Sequence, residues 1–263
     1  TPYRKEYIML EKWDIAIPKL TGDALRSVYV YIPDSCQEDP ERRYPVLYMF
    51  DGHNVFYDED ATYGKSWGML DYMDRTGTEM IIAAVECNHS PDGGRLSEYS
   101  PFTFSDPKLG HITGRGKATM DWWVNTFKPL IDSHYPTLPD RRHTFIAGSS
   151  MGGLMSLYAL LEYNTVFSRA AALSPSIWFA AEQLDALIRN ARLAPDTVLY
   201  MDYGSREIRF HPNMRHRFGQ VASLLIDREI QLSCRIVPGG DHCEASWERQ
   251  IPFFFNTLLY NLQ

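Results

Sequence analysis

One serine lies in a segment whose pattern is typical of enzyme nucleophiles. Ser150 is the central residue of Gly148-Ser-Ser-Met-Gly152, which has the spacing G-x-S-x-G. Apolar, β-forming residues precede it at 144–147, and apolar residues at helical spacing follow it. This order predicts a strand, a tight turn and a helix, so that the Ser150 hydroxyl is presented at the carboxyl end of the strand. The glycines remove side chains that would collide at so sharp a turn.

A serine hydroxyl is a weak nucleophile near neutral pH, so it needs a histidine base and a carboxylate that orients the base. In a strand–turn–helix arrangement of this kind the chain order is serine, acid, histidine. Three histidines follow Ser150, namely His211, His216 and His242. We predict His242 to be the base because it ends the Gly-rich segment 239–242, directly after the last predicted strand. The other two are expected to be solvated.

Two carboxylates are candidates for the acid that orients His242. Asp202 ends a predicted strand, and Glu207 lies beyond it in the segment Gly204-Ser-Arg-Glu207. We favour Glu207 because a Gly-containing turn lets a side chain reach past the edge of the sheet, and we keep Asp202 as the alternative. Asp241 is a third candidate, although a neighbour in sequence rarely faces the histidine productively.

Two backbone N–H groups are predicted to stabilise an oxyanion. The first is that of Met151, at the start of the helix that follows the serine. The second is that of His53, in the loop Asp51-Gly52-His53 that follows the apolar run 45–50. An ordinary Asp-Gly turn is the alternative interpretation of this loop.

Three further residues are candidates for a substrate pocket. Trp178 and Trp67 are aromatic rings of the kind that would line an acyl pocket, and Arg95 would bind an acidic or phenolic group. Packing in the core is the alternative for the tryptophans. For Arg95 the alternative is an ion pair with Glu98 on the surface.

The elements that must position these residues alternate between strands and helices. Two antiparallel strands are predicted at 8–17 and 28–32, and a long segment without regular structure at 88–117. Further strands are predicted at 45–50, 80–85, 144–147, 169–173, 197–201 and 231–237, with helices at 66–74, 118–135, after Ser150, and at 180–191, 213–227 and 244–262. This alternation predicts a single α/β domain over 1–263, with a mostly parallel sheet and helices on both faces.

Composition limits the partners of this chain. The 33 acidic and 26 basic residues give a net charge of −7, and the basic residues are scattered. This pattern argues against nucleic acid and against an anionic membrane surface as partners. The four cysteines have no metal-binding spacing, so we expect reduced thiols, no metal and no cofactor.

The first residues of the chain lack the apolar core of a signal peptide. We therefore expect a cytoplasmic location, with secretion as the alternative if a signal peptide has been removed. The sequence does not choose between a monomer and a homodimer.

Taken together, several segments resemble the Putative esterase family of α/β-hydrolases. This family includes esterase D-like enzymes, enterochelin-type siderophore esterases, and carbohydrate esterases such as feruloyl and acetyl-xylan esterases. The resemblance is carried, in the family's order, by residues 44–52, 148–153, 173–178, 203–207 and 239–242, followed by Trp247. The chain departs from the family at His53, where other members vary, so that only its amide is carried over.

The resemblance implies an α/β-hydrolase fold and a serine carboxylesterase that uses no metal. It implies acylation of Ser150, with His242 as base and then acid, Glu207 as the orienting carboxylate, and Met151 and His53 as amide donors. The expected substrate is an acylated sugar or an aromatic ester of the feruloyl or acetyl type. The alternatives are a catecholate trilactone siderophore esterase, an acyltransferase on the same fold, and a catalytically silent binding protein.

Overall fold

The computed structural model describes residues 10–209 and 211–262. Ten strands occur within these residues. In chain order they are β1 (Leu10–Ala16), β2 (Leu25–Tyr31), β3 (Val46–Met49), β4 (Ile81–Val85), β5 (Phe104–Asp106), β6 (Gly110–Ile112), β7 (Thr144–Ser149), β8 (Arg169–Leu173), β9 (Val198–Gly204) and β10 (Gln231–Val237). The first two residues of the strand predicted at 8–17 lie outside the described part of the chain.

The α-helices are α1 (Pro18–Thr21), α2 (Ser35–Glu38), α3 (Met69–Thr76), α4 (Gly94–Glu98), α5 (Gly116–Trp122), α6 (Lys128–His134), α7 (Met151–Glu162), α8 (Ala181–Asn190), α9 (Met214–Ile226), α10 (Glu244–Glu248) and α11 (Ile251–Leu259). A π-helical segment, Trp123–Phe127, joins α5 to α6. Short 3-10 turns occur at Gly52–Asn54, Arg141–His143 and Glu207–Arg209.

Eight of the strands form one sheet in the order β1-β2-β4-β3-β7-β8-β9-β10. The pairs β1–β2 and β2–β4 are antiparallel, and the remaining neighbours, from β4 to β10, are parallel. The predicted α/β fold with antiparallel N-terminal strands and a mostly parallel sheet is therefore confirmed. Because the carboxyl ends of the six parallel strands meet at one edge, the loops that follow them are brought together there.

Alternate side chains of the central strands enter two separate cores. In β3, Val46 and Tyr48 pack in the core that includes side chains of α7, α8 and α9. Leu47 and Met49 point to the other face and pack with side chains of α3 and α11. Every residue of β3 is buried, as expected for a strand that is covered on both faces.

The segment predicted to be irregular, 88–117, contains regular structure. Helix α4 has five residues, and β5 and β6 pair as an antiparallel hairpin of three residues each. Elements this short do not complete enough of a helical or alternating pattern to be recognised from periodicity. The prediction of a long structureless loop was therefore wrong.

The C-terminal helix predicted at 244–262 is broken into two. Helix α10 ends at Glu248, and α11 begins at Ile251, with Pro252 in its first turn. A proline ring clashes with the carbonyl four residues earlier, here that of Glu248, so one continuous helix is not possible. Strand β9 is also longer than predicted and ends at Gly204 rather than at residue 201.

Within the described residues, no helix has the length and the apolar character needed to cross a membrane. The four cysteines are all present as free thiols.

Candidate active site

Ser150 lies at the strained turn between β7 and α7. Its backbone angles are φ 59° and ψ −122°, a conformation that non-glycine residues rarely adopt. Two hydrogen bonds hold this conformation, because Ser150 N donates to Leu173 O and Ser176 N donates to Ser150 O, each at 3.0 Å. A Cβ atom added to Gly148 would lie 2.7 Å from the backbone of Gly152. The predicted tight turn with obligatory glycine is therefore present.

The structure brings the side chains of Ser150, His242 and Glu207 together in one hydrogen-bonded chain. His242 Nε2 lies 2.9 Å from Ser150 Oγ, and His242 Nδ1 lies 2.7 Å from Glu207 Oε2. The Glu207 side chain is only 5% exposed, whereas that of His242 is 37% exposed. The imidazole is thus held between a buried carboxylate and a hydroxyl that opens to the cleft.

The second carboxylate oxygen of Glu207 is fixed by two donors. Gly204 N donates to Glu207 Oε1 at 2.9 Å, and Ser174 Oγ donates to the same oxygen at 2.5 Å. Trp247 Nε1 donates to Ser174 Oγ at 3.0 Å and so sets the direction of the Ser174 hydroxyl. Because both oxygens have partners, the carboxylate has one preferred orientation toward His242.

Asp202, the alternative acid, has other partners. Its carboxylate accepts hydrogen bonds from Ser174 N at 3.0 Å and from Tyr200 Oη at 2.8 Å. Burial raises its pKa from 3.8 to about 7. Asp202 lies within β9, whereas Glu207 lies on the 3-10 turn that follows this strand. The position beyond the strand explains why Glu207 is the residue that contacts His242. Asp241, the third candidate, pairs with Arg206 at 3.3 Å on the surface.

The two predicted amide donors begin helical turns at the same edge of the sheet. Met151 is the first residue of α7, and His53 belongs to the 3-10 turn that follows β3. The first N–H groups of such turns have no acceptor inside the turn. Since β3 and β7 are parallel neighbours, the two turns lie side by side. On its other side the turn after β3 packs closely against β4, and Gly52 permits this because a Cβ atom there would be 2.9 Å from backbone atoms of Ala84 and Val85.

A cleft with a volume of about 390 Å³ opens beside Ser150. Most of its lining side chains are polar or charged. The lining residues are Asp51, His53, Asn54, Thr62, Tyr63, Cys87, Asn88, His89, Arg95, Ser149, Ser150, His242, Glu244 and Trp247. The cleft therefore presents carboxylates, two amides, imidazoles and a guanidinium to a bound molecule.

Arg95 lies in this cleft but is not paired with Glu98 as the alternative interpretation supposed. Its Nε and Nη2 atoms each donate to the Asp51 carboxylate at 2.7 Å. Burial works to raise the pKa of Asp51, but the charge and hydrogen bonds of Arg95 outweigh burial and lower it. Glu98 is buried and forms its own bidentate ion pair with Arg26, at 2.8 and 2.5 Å.

Neither predicted pocket tryptophan lines this cleft. Trp67 is buried in the core, where its ring centroid lies 5.9 Å from that of Trp247. Trp178 is half-buried and stacks on His211 with 4.6 Å between ring centroids. The expectation for both was therefore wrong for this cleft. The tryptophan that does line it is Trp247, whose ring packs edge-on against His242 at 5.1 Å. His211 is half-buried rather than solvated, while His216 is exposed as predicted.

Sequence reasoning missed the contribution of the loop after β4. Cys87, Asn88 and His89 line the cleft, and the imidazole of His53 reaches it from the neighbouring loop. The signal was present, because polar residues directly after a buried parallel strand are candidates for a site at the sheet edge. Burial raises the pKa of the Cys87 thiol well above its usual range and lowers that of His53, so both side chains are neutral near pH 7 in the free cleft.

The sheet order, the strained serine turn at its carboxyl edge and the polar cleft beside it are those of esterases with an α/β-hydrolase fold. The family described as Putative esterase matches residues 23–258, and the chain belongs to this family. The resemblance found in the sequence is thereby confirmed, and the chain is an ester hydrolase.

Individual proteins are similar to this chain over most of its length. The uncharacterized protein YbbA of Bacillus subtilis (strain 168) is 27% identical over 244 residues, which are 89% of this chain and 91% of that protein. A solved ferulic acid esterase has a TM-score of 0.68 at 18% identity and covers 95% of this chain and 96% of its own. The enterobactin esterase FES from Shigella flexneri, solved in the presence of enterobactin, has a TM-score of 0.74 at 17% identity and covers 98% of this chain and 60% of its own. At these identities the two solved structures share the fold of this chain.

Proposed function

We propose that the protein is a serine carboxylesterase that forms an acyl-enzyme on Ser150. The observation that carries the proposal is the position of His242, which contacts Ser150 Oγ at 2.9 Å with one ring nitrogen and Glu207 at 2.7 Å with the other. A base that contacts both nucleophile and orienting carboxylate is the arrangement that activates a serine.

In the first half of the reaction, His242 Nε2 takes the proton from Ser150 Oγ as that oxygen attacks the ester carbonyl carbon. The carbonyl oxygen becomes an oxyanion, and the N–H groups of Met151 and His53 donate to it. The C–O bond to the alcohol then breaks, and His242 returns the proton to the departing alkoxide. The acyl group remains bound to Ser150.

In the second half, water replaces the alcohol. His242 removes a proton from the water as its oxygen attacks the acyl carbon, and then returns that proton to Ser150 Oγ as the carboxylic acid leaves. Glu207 accepts the His242 Nδ1–H throughout. It thereby keeps the lone pair of Nε2 directed at Ser150 and stabilises the imidazolium that forms.

The polar cleft favours an ester whose alcohol carries many hydroxyl groups, such as an acylated sugar. Its volume of about 390 Å³ is within the range of small-molecule sites. Trp247, which is 5% exposed, adds an apolar edge to this lining. A catecholate trilactone is less suited, because Arg95, which supplies the one guanidinium among the described residues that line the cleft, is already paired with Asp51.

The mechanism is tested by comparing Ser150→Ala with Ser223→Ala, an exposed serine on α9 that serves as the matched control. Ser150→Ala is expected to lower kcat for p-nitrophenyl acetate by at least about 10⁴-fold with an unchanged circular dichroism spectrum, and the control should match the wild type. Substantial activity in Ser150→Ala would exclude the acyl-enzyme.

The substrate class is tested with acetylated xylo-oligosaccharides, methyl ferulate and a catecholate trilactone, each given to the same preparation. We expect the highest kcat/KM for the acylated sugar. A preference for the trilactone would contradict the sugar assignment but leave the serine mechanism intact. Adding glycerol and measuring acyl glycerol separates hydrolysis from acyl transfer, and free acid is the expected main product.

A further inference from the structure

Three side chains that the serine mechanism does not use converge in the cleft. They are His53, from the turn after β3, and Cys87 and His89, from the loop after β4. One potential ligand atom from each of the three residues lies within 4.8 Å of the other two. β3 and β4 are parallel neighbours, so their following loops meet at the same sheet edge. The donor set of two imidazoles and a thiol is one that suits zinc.

The outer nitrogen of each histidine has an oxygen partner. His89 Nε2 lies 2.9 Å from Glu86 Oε1, and His53 Nε2 lies 3.0 Å from Thr62 Oγ1. The Glu86 carboxylate can only accept, so His89 Nε2 carries the hydrogen and Nδ1 of the neutral ring presents a lone pair. The Thr62 hydroxyl is also able to accept, which allows His53 the same tautomer, with its lone pair on Nδ1. Histidines that ligate metals are oriented in the same way by an acceptor behind the ring.

The inner nitrogens lack strong partners. His53 is only 4% exposed, and its Nδ1 atom is buried with no hydrogen-bond partner among the described residues. His89 Nδ1 faces Cys87 Sγ at 3.9 Å, which is a weak contact. A buried ring nitrogen without a hydrogen-bond partner costs free energy, and a metal ion bound at His53 Nδ1 would remove this cost.

We propose that His53 Nδ1, Cys87 Sγ and His89 Nδ1 bind one zinc ion, with the fourth coordination position open to the cleft beside Ser150. In a tetrahedral site with Zn–N of about 2.0 Å and Zn–S of about 2.3 Å, the ligand atoms are about 3.3–3.6 Å apart. The present separations, all within 4.8 Å, would therefore shorten by up to about 1.2–1.5 Å on binding. Of the three residues, His89 has the most freedom to move, because its side chain is 53% exposed.

Zinc binding at this site releases one proton. Zn²⁺ displaces the proton of the Cys87 thiol, which passes to the solvent, while the two imidazoles bind as neutral ligands. A water molecule or an anionic oxygen of a cleft ligand takes the fourth position. The ion is not needed for the chemistry of Ser150 and His242, so the site is separate from the proposed esterase mechanism even though both open into one cleft.

The test uses full-length, tag-free protein that carries Ser150→Ala, so its outcome does not depend on the serine mechanism. After treatment with a chelator and its removal, the protein is titrated with Co²⁺. We expect the intense visible bands of tetrahedral cobalt and a thiolate-to-cobalt charge-transfer band, both saturating at one ion per chain and both abolished by added Zn²⁺. No cobalt spectrum, or bands of an octahedral ion only, would overturn the proposal.

Variants identify the ligands. Cys87→Ser should remove the charge-transfer band, and Cys234→Ser, which alters an exposed free thiol on β10, should keep it. Glu86→Gln leaves all three ligands in place but weakens the acceptor behind His89, so zinc affinity should fall by about 10–100-fold. His89→Ala, at an exposed position with little effect on folding, should weaken zinc binding more than Glu86→Gln. Unchanged affinity in His89→Ala would exclude the site.

Discussion

The replacement of Glu207 by glutamine tests the hydrogen-bonded chain most directly, because the structure determines which way the new amide must face. Gly204 N–H donates to Glu207 Oε1 at 2.9 Å and cannot accept a hydrogen bond. The glutamine carbonyl oxygen must therefore keep the Oε1 position, and the amide nitrogen takes the Oε2 position, 2.7 Å from His242 Nδ1. A donor at that point forces Nδ1 to accept, so the ring hydrogen moves to Nε2.

An imidazole with its hydrogen on Nε2 cannot take the proton of Ser150. We expect kcat for p-nitrophenyl acetate to fall by about 10⁴-fold, the loss typical of a wrong tautomer, which corresponds to about 5 kcal/mol of transition-state stabilisation. KM should be unchanged, because the Glu207 side chain is buried and does not line the cleft. The ¹⁵N chemical shifts of the His242 ring report the tautomer independently of turnover.

Asp202→Asn is the matched control, because it makes the same chemical change, carboxylate to amide, within β9, the strand that precedes the turn of Glu207. The asparagine oxygen can still accept from Ser174 N, so this variant should keep most of the wild-type kcat. The reasoning would be refuted if Glu207→Gln retained more than about a tenth of the wild-type kcat, or if Asp202→Asn lost more activity than Glu207→Gln.

Three further predictions concern stability; the first two are measured by thermal unfolding and the third by the yield of folded protein. Burial raises the Asp202 pKa from 3.8 to about 7, so the protonated side chain contributes stability that is fully present below about pH 4 and is lost as the pH rises to about 7. Asp202→Asn has no ionisable group at this position and should not lose stability in this way. The free energy of unfolding of the variant, relative to that of the wild type, should therefore rise across this pH range by about 4 kcal/mol at most. A difference that is flat with pH would contradict the assignment. Arg95→Ala leaves the Asp51 carboxylate buried without its partner and should cost about 3 kcal/mol, whereas an unchanged melting temperature would show that water replaces the guanidinium. Gly148→Ala should yield little folded protein, because its Cβ would lie 2.7 Å from the Gly152 backbone, and normal expression would show that the turn can open.

The parts of the site that were predicted correctly depend on local patterns. The turn at Ser150 needs glycines at fixed positions, and a Gly-rich segment after the last strand brings His242 to the sheet edge. Both signals follow from backbone geometry within a few residues, so the sequence displays them directly. The alternation of strands and helices is equally local, and it led to the correct sheet.

Contacts between distant segments could not be predicted in the same way. Arg95 was predicted to bind a substrate group, with an ion pair to Glu98, three residues away, as the alternative. Its partner is instead Asp51, which lies 44 residues away in sequence. Trp67 and Trp178 were placed in a pocket because of their residue type, but an aromatic ring packs equally well in a core. Which of these environments a side chain enters depends on how the helices pack on the sheet. The spacing of apolar residues in the sequence carries no information about that packing.

The choice between Asp202 and Glu207 was framed as a competition, yet the structure makes them successive parts of one network. Asp202 accepts from the Ser174 backbone, the Ser174 hydroxyl donates to Glu207, and Glu207 accepts from His242. Ser174 has a φ of 42°, which is strained for serine, and its bond to Asp202 is one of the contacts that stabilise this conformation. An acceptor at position 202 within β9 therefore holds Ser174, and a carboxylate beyond the strand, that of Glu207, holds the histidine. Two acidic residues that looked redundant in the sequence thus have different tasks, which their hydrogen-bond partners distinguish.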